Sequence, residues 1–201
     1  LEDPTAFAYY RIGECYNKMG NKDLSVQYYK KTAKEDPLLD KGWLALTKLY
    51  YNEKNYQKSL YYINKALSID DTNTLYWRMY SEICLKFNLF EEAASGFYNC
   101  IDNGDDNLDI YLGFSDVLNF IGEFEDSMLV MSTAIETYPH HADVEYRIAC
   151  LCYVLGKNSD GVFFLQKALK TDYDSHTLMK EIFPSIFELN AVKTIISEFK
   201  S

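Results

Sequence analysis

Apolar and small residues recur along this chain at a fixed interval of 34 residues, without insertion or deletion over five periods. Within a period they are spaced three or four positions apart, which is typical of one face of an α-helix. One column holds an aromatic residue in the first four periods and Glu145 in the fifth, and two further columns hold small residues throughout. A period of this length predicts stacked helical hairpins, each too small to bury its apolar face alone.

Each period divides into two predicted helices with a short turn between them. In the first period these helices cover about 6–19 and 22–35, with Gly20 ending the first and Pro37 closing the second. The two columns of small residues predict a close approach of the helices within each hairpin. Later turns are expected near Asn88, Gly122 and Gly156.

Residues at set positions of the period resemble the tetratricopeptide-repeat family, and the resemblance covers essentially the whole chain. They are Tyr9, Ile12, Gly13, Tyr16, Ser25, Tyr29 and Pro37, then Trp43, Leu46, Tyr50, Ser59, Ile63 and Ala66. The resemblance implies an all-α fold, a right-handed superhelical solenoid of five antiparallel helix pairs followed by C-terminal capping helices. It also implies a non-catalytic protein–protein interaction module, a scaffold or adaptor.

The period sets the expected boundaries along the chain. They are the tail of a preceding helix at 1–5, five repeats at 6–39, 40–73, 74–107, 108–141 and 142–175, and a degenerate sixth repeat or cap at 176–201. The fifth repeat departs most from the pattern, since Glu145 replaces the aromatic residue and Tyr173 stands where proline would close the unit. Beyond it, Pro184 is expected to interrupt a helix interior at a cost of about 3 kcal/mol. A last helix is expected from Asn190.

Charge is distributed unevenly along the chain. Residues 1–70 carry eleven basic and nine acidic side chains, whereas 71–146 carry two basic and fifteen acidic ones. An acidic middle repels phosphate and therefore argues against a nucleic-acid partner. Two interpretations remain: a solvated acidic surface, or a field that steers a basic protein partner to the centre of the chain.

Neither catalysis nor metal or cofactor binding is indicated. The five cysteines have irregular spacing and are expected to be small buried residues, which favours a reducing, cytoplasmic compartment. His140 and His141 are adjacent and lack partners at ligand spacing. The acidic segment 102–109 has glycine in the wrong place for a calcium loop and is interpreted as a turn. No apolar run is long enough to span a membrane.

In the family, the first helix of each hairpin lines a concave groove, and this implies the candidate peptide-binding surface. The candidates are Tyr10, Glu14, Asn17, Leu44, Lys48, Tyr51, Arg78, Glu82, Leu85, Leu112, Asp116, Asn119, Tyr146 and Tyr153. The apolar members would anchor a peptide or helical segment, and the charged members would set its direction. The alternative interpretation is that these side chains only fill space where helices converge.

Two other functions stay open, and one subtype of the family can be tested on the residues. The module could be the recruiting or sensory arm of a larger enzyme or signalling protein, or it could associate with itself as a homo-oligomer. Family members that hold the C-terminal carboxylate of heat-shock chaperones use a basic clamp. The matching positions here are Tyr10, Glu14, Ala45, Leu75 and Met79, which cannot neutralise a carboxylate, so this subtype is excluded.

Overall fold

The computed structural model describes residues 5–200, and these form helices joined by short turns. The helices are α1 Ala6–Lys18, α2 Lys22–Glu35, α3 Asp40–Asn52, α4 Tyr56–Leu67, α5 Thr74–Lys86, α6 Phe90–Asp102, α7 Leu108–Ile121, α8 Phe124–Thr137, α9 Ala142–Val154, α10 Asn158–Thr171, a 3₁₀ helix Asp174–Thr177, α11 Leu178–Ile182, α12 Pro184–Phe187 and α13 Asn190–Lys200. The odd-numbered helices from α1 to α9 begin at the sequence interval of 34 residues. The predicted all-α class is confirmed.

Two compact units make up the chain, divided between Asp105 and Asp106. Unit 1 contains the hairpins α1–α2, α3–α4 and α5–α6, with α2 packed on α3 and α4 packed on α5. Unit 2 contains the hairpins α7–α8 and α9–α10, with α8 packed on α9. The 3₁₀ helix, α11 and α12 pack on α9, while α13 packs on α10.

The columns of small residues lie where two helices of a hairpin approach most closely. A Cβ atom added at Gly13 would stand 2.6 Å from ring carbons of Tyr29, which is closer than atoms can approach. Ser25 Oγ donates to the Gly13 carbonyl at 3.0 Å, and Ser59 Oγ donates to the Thr47 carbonyl at the same distance one repeat later. The small side chains therefore permit close packing and also join the two helices by hydrogen bonds.

The turn within each hairpin uses one residue in the left-handed region. Gly20 has φ 76°, and its amide and that of Asn21 donate to carbonyls of the last turn of α1, which satisfies the helix end. The equivalent residue of the second repeat is Lys54, with φ 59°, and in the third it is Asn88, with φ 56°. The left-handed conformation is unstrained for glycine, whereas for lysine it costs about 1 kcal/mol.

Replacing Lys54 by glycine is therefore expected to raise the free energy of unfolding of unit 1 by about 1 kcal/mol. Lys54 is exposed, so no packing is lost. Urea denaturation followed by the fluorescence of Trp43 and Trp77 measures the change. The same substitution at Lys30, exposed in the interior of α2, is the control and should lower stability by about 0.7 kcal/mol. A loss of stability at both positions would contradict the turn argument.

The C-terminal region corrects one expectation, and at the N-terminus another stays untested. Pro184 does not stand in a helix interior, because α11 ends at Ile182 and Pro184 occupies the first turn of α12. Proline is tolerated at that position, so the expected cost of about 3 kcal/mol does not apply. The expected tail of a preceding helix at residues 1–5 lies outside the described residues except for Thr5, whose side chain accepts a hydrogen bond from the Ala8 amide and caps α1.

Candidate functional site

Five of the sequence-predicted site residues of unit 1 come together at one cavity between α1 and α3. The cavity has a volume of about 190 Å³. Two helical turns of α1 and the facing side of α3 form its walls, with apolar, amide and charged side chains side by side. The five residues are Tyr10, Glu14, Asn17, Leu44 and Lys48.

A hydrogen bond joins Tyr10 and Glu14 within this wall. The Tyr10 hydroxyl donates to Glu14 Oε1 at 3.1 Å, and Arg11 Nη1 donates to Glu14 Oε2 at 2.7 Å. Burial, with the Glu14 hydrogen bond second, raises the pKa of Tyr10 to about 12, so the phenol keeps its proton at neutral pH. The Tyr10 ring also lies 5.9 Å from the ring of Tyr29. The wall is therefore fixed before any ligand arrives.

Leu44 and Tyr51 contribute to both the surface and the core. Both are half-buried, and both pack on the core cluster that includes Ile63 and Ile83. The Tyr51 ring meets the Tyr56 ring edge-on, with centroids 5.6 Å apart. Filling space between helices is thus part of their role, and the remaining exposed surface of each is what a ligand could contact.

On α5 the predicted residues form a polar pair beside an apolar one. Arg78 Nε lies 3.3 Å from Glu82 Oε1, and Leu85 one turn later is half-buried. The pKa of Tyr51 is raised first by burial and then by the negative charge of Glu82, which places the Glu82 carboxylate near α3. Tyr51 and Glu82 therefore lie near each other on neighbouring hairpins.

The α7 candidates of unit 2 are already engaged within the chain. The Asp116 carboxylate is exposed but pairs with the guanidinium of Arg147 on α9. The Asn119 amide nitrogen lies 3.4 Å from Ser115 Oγ, while its buried oxygen has no hydrogen-bond partner among the described residues. Leu112 is half-buried.

Tyr146 does not lie on an accessible surface, which corrects its assignment as an anchor. Its side chain is 0% exposed, and its hydroxyl donates to the Asp172 carbonyl at 2.8 Å. The ring of Tyr153 lies against Gly161 of α10, where an added Cβ would stand 2.9 Å away, and its hydroxyl is buried. Both rings therefore serve packing within unit 2.

The cause is that α9 is buried on all sides. Every residue from Val144 to Cys152 is buried, although an amphipathic helix at a surface would expose one face. The 3₁₀ helix, α11 and α12 pack on α9 in addition to α8 and α10. The C-terminal segment thus closes the part of α9 for which a groove was predicted.

A buried charge network fills the column where the fifth repeat lacks its aromatic residue. Glu145 is 0% exposed; its Oε1 lies 3.0 Å from Lys167 Nζ, and its Oε2 accepts a hydrogen bond from Thr171 Oγ1 at 2.6 Å. The ion pair and hydrogen bond offset the cost of burying the carboxylate. The departure of Glu145 from the repeat pattern was visible in the sequence, but its partners on α10 were not.

Six residues that line the unit 1 cavity are missing from the sequence-predicted set. They are Lys18, Lys41 and Asn52, together with Tyr29, Ala45 and Leu49. Lys18 and Asn52 occupy the same column of consecutive repeats, beside the stripe from which the candidates were chosen. Lys41 belongs to the stripe itself, so the repeat pattern contains the signal for all three of these polar residues.

Four of the five cysteines are packed as small buried residues, and the expectation of burial is wrong for Cys15. Among the described residues Cys84, Cys100, Cys150 and Cys152 are buried and Cys15 is exposed, and none forms a disulfide. Burial raises the pKa of the Cys84 thiol to about 11 and those of Cys100 and Cys150 to about 12. These thiols therefore stay protonated and are poor nucleophiles.

Residues 5–200 contain neither a cluster of metal ligands nor a helix that could span a membrane. No group of three or more histidine, cysteine or carboxylate side chains is placed to hold a metal ion there. Within the same residues, every helix is too short or too polar to cross a bilayer.

Comparison with known proteins assigns the repeat. The tetratricopeptide-repeat sequence model matches residues 7–38, and no curated protein sequence matches the chain. The solved structure of YrrB, a tetratricopeptide-repeat protein with an unusual peptide-binding site, is similar with a TM-score of 0.70 at 16% identity, over 84% of this chain and 87% of YrrB. A structure of MamA gives a TM-score of 0.69 at 20% identity, covering 92% of this chain and 96% of MamA. MamA 41-end from Desulfovibrio magneticus RS-1 gives 0.66 at 12% identity, covering 87% and 98%.

The chain has the fold of an all-α helical-repeat solenoid, and its first repeat matches the tetratricopeptide-repeat family. The family match rests on the first repeat, and the structural similarity extends the fold to most of the chain. This fold supports a protein–protein interaction module.

Proposed function

We propose that this chain is a non-catalytic scaffold or adaptor that binds a peptide or helical segment of a protein partner along α1, α3 and α5. The cavity between α1 and α3 carries the proposal, because Tyr10 and Leu44 offer half-buried apolar surface next to exposed polar side chains. Half-buried aromatic and aliphatic anchors with a polar rim are typical of peptide-binding grooves.

The size of the cavity favours a peptide over a small molecule. Cofactor and drug-like ligands occupy pockets of roughly 300–1,000 Å³. A cavity of about 190 Å³ holds one or two side chains of a longer ligand whose remaining contacts extend over the neighbouring helices. The description of YrrB as a peptide-binding protein of the same fold supports this function.

The test uses a random twelve-residue peptide library displayed on phage and selected on the immobilised protein. Selected peptides should bind the wild type and lose about 30-fold in affinity to a Tyr10→Ala/Leu44→Ala variant, which corresponds to about 2 kcal/mol for lost anchors. Fluorescence anisotropy with labelled synthetic peptides measures the affinities, and circular dichroism verifies that the variant is folded.

A second variant keeps the core intact. Asn17 is exposed at the cavity, so Asn17→Trp should fill the cavity and block binding without removing any packing. Gln27→Trp places the same side chain on an exposed position of α2 and is the matched control. Equal binding by wild type and Asn17→Trp would rule out this cavity as the peptide site.

A further inference from the structure

We propose that the cavity between α1 and α3 selects an acidic side chain of the bound peptide, an aspartate or glutamate next to an apolar residue. The inference rests on the proposed peptide-binding function and specifies its partner. Its first support is the charge of the lining: three lysines, Lys18, Lys41 and Lys48, surround the cavity together with one carboxylate, that of Glu14.

The single carboxylate does not neutralise these lysines. Glu14 is already engaged by the Arg11 guanidinium at 2.7 Å and by the Tyr10 hydroxyl at 3.1 Å. Within residues 5–200, no carboxylate forms a salt bridge with Lys18, Lys41 or Lys48. Three lysines therefore line the cavity without a salt bridge to a carboxylate, and the Lys41 ammonium lies 5.8 Å from the centroid of the Phe7 ring.

The floor of the cavity explains why an apolar neighbour is required. Leu44, Leu49 and Ala45 line it beneath the charged side chains, and Asn17 and Asn52 add amide groups. An aliphatic or aromatic side chain can cover the apolar surface while an adjacent carboxylate meets the ammonium groups. A peptide with an acidic side chain next to an apolar one is thus complementary to the charge and the polarity of the cavity lining.

This cavity differs from the chaperone carboxylate clamp of the family. In the register that begins on α1, Tyr10, Glu14 and Ala45 stand at clamp positions. One repeat later Lys48 stands at a clamp position, but Leu44 and Met79 occupy clamp positions beside it, and Lys18 and Lys41 lie at other positions of α1 and α3. The prediction made from total charge, a basic partner for residues 71–146, concerns a different part of the chain. At the cavity between α1 and α3 the lysines favour a ligand of negative charge.

The experiment displays the library with its peptides fused at their C-termini, so that only side chains can supply a carboxylate. Peptides selected on the wild type should be enriched in Asp or Glu at one position beside an apolar residue. Synthetic peptides of these sequences, with amidated C-termini, should lose about tenfold in affinity to Lys18→Gln/Lys41→Gln/Lys48→Gln. Raising the salt concentration should weaken wild-type binding and affect the variant less.

Charge reversal provides the sharper test. Selection on Lys18→Glu/Lys41→Glu/Lys48→Glu should enrich Lys or Arg in place of the acidic residue. The control Lys22→Glu/Lys30→Glu/Lys34→Glu makes the same change of net charge on exposed positions of α2 and should retain the acidic preference. Inversion in both sets would assign the effect to total charge and overturn the cavity proposal.

The outcomes separate this inference from the function on which it rests. Selected peptides without an acidic preference that still lose binding to Asn17→Trp would overturn the inference and keep the groove. Peptides that bind Asn17→Trp as well as the wild type would overturn both. Failure to select any peptide on the wild type would also overturn both.

Discussion

Replacing Lys167 by methionine is expected to lower the free energy of unfolding by about 3 kcal/mol at neutral pH. The methionine keeps most of the side-chain volume but removes the ammonium group 3.0 Å from Glu145 Oε1. Glu145 is fully buried, so its carboxylate would keep only the hydrogen bond from Thr171. The expected loss is at the lower end of the range for breaking a buried pair, because the Lys167 side chain is 32% exposed and water screens it in part.

The double variant Glu145→Leu/Lys167→Met tests whether the loss comes from the unpaired charge. Replacing both partners with apolar side chains leaves no charge to desolvate, so stability should return to the wild-type value or exceed it. Thr171 Oγ1 lies 3.1 Å from the Lys167 carbonyl and can donate its single proton there once Glu145 is replaced, so it is not left unsatisfied. Chemical denaturation followed by far-ultraviolet circular dichroism measures both variants. A double variant as unstable as the single one would mean that methionine disturbs packing on its own.

This network illustrates how far the sequence alone reaches. The 34-residue period predicts the helical hairpins because every repeat must bury the same stripe against its neighbour. The same period marks Glu145 as an exception, but it contains nothing about partners in other columns. Lys167 and Thr171 fit the pattern of an exposed helix surface, so only the packed structure shows that they enclose a carboxylate.

The candidate site shows the same limit from another direction. Tyr10, Glu14, Asn17, Leu44 and Lys48 meet at one cavity because the stripe repeats faithfully in the first two hairpins. Tyr146 occupies the equivalent stripe of the fifth repeat, yet it is buried. After residue 175 the period is lost, so the sequence does not predict that the 3₁₀ helix, α11 and α12 pack on α9.

The turn residues could be predicted only in part from the sequence, for a related reason. A left-handed turn residue is indicated by glycine at positions 20, 122 and 156, because glycine adopts this conformation without strain. Lys54 adopts it as well, but its residue type carries no such signal. At Lys54 the packing of α3 on α4 determines the turn, although lysine by itself favours a negative φ.

Gly13→Ala is expected to lower the free energy of unfolding of unit 1 by about 2 kcal/mol. In an exposed helix the same change would stabilise by about 1 kcal/mol, since alanine favours helix more than glycine does. At Gly13 the new methyl group would stand 2.6 Å from two carbons of the Tyr29 ring. That ring is buried and packs beside Tyr10, so it cannot move away without opening the interface between α1 and α2.

Gly42→Ala is the matched control for this argument. Gly42 also lies within a helix of unit 1, but an added Cβ there would stand 3.0 Å from the terminal methyl of Thr32. A shift of a few tenths of an ångström relieves that contact, so the gain in helix preference should leave the variant at least as stable as the wild type. Urea denaturation monitored by tryptophan fluorescence gives both values. Equal losses of stability in Gly13→Ala and Gly42→Ala would show that close approach along the small-residue column does not determine the packing of α1 on α2. A loss confined to Gly13→Ala assigns the effect to the contact with the Tyr29 ring.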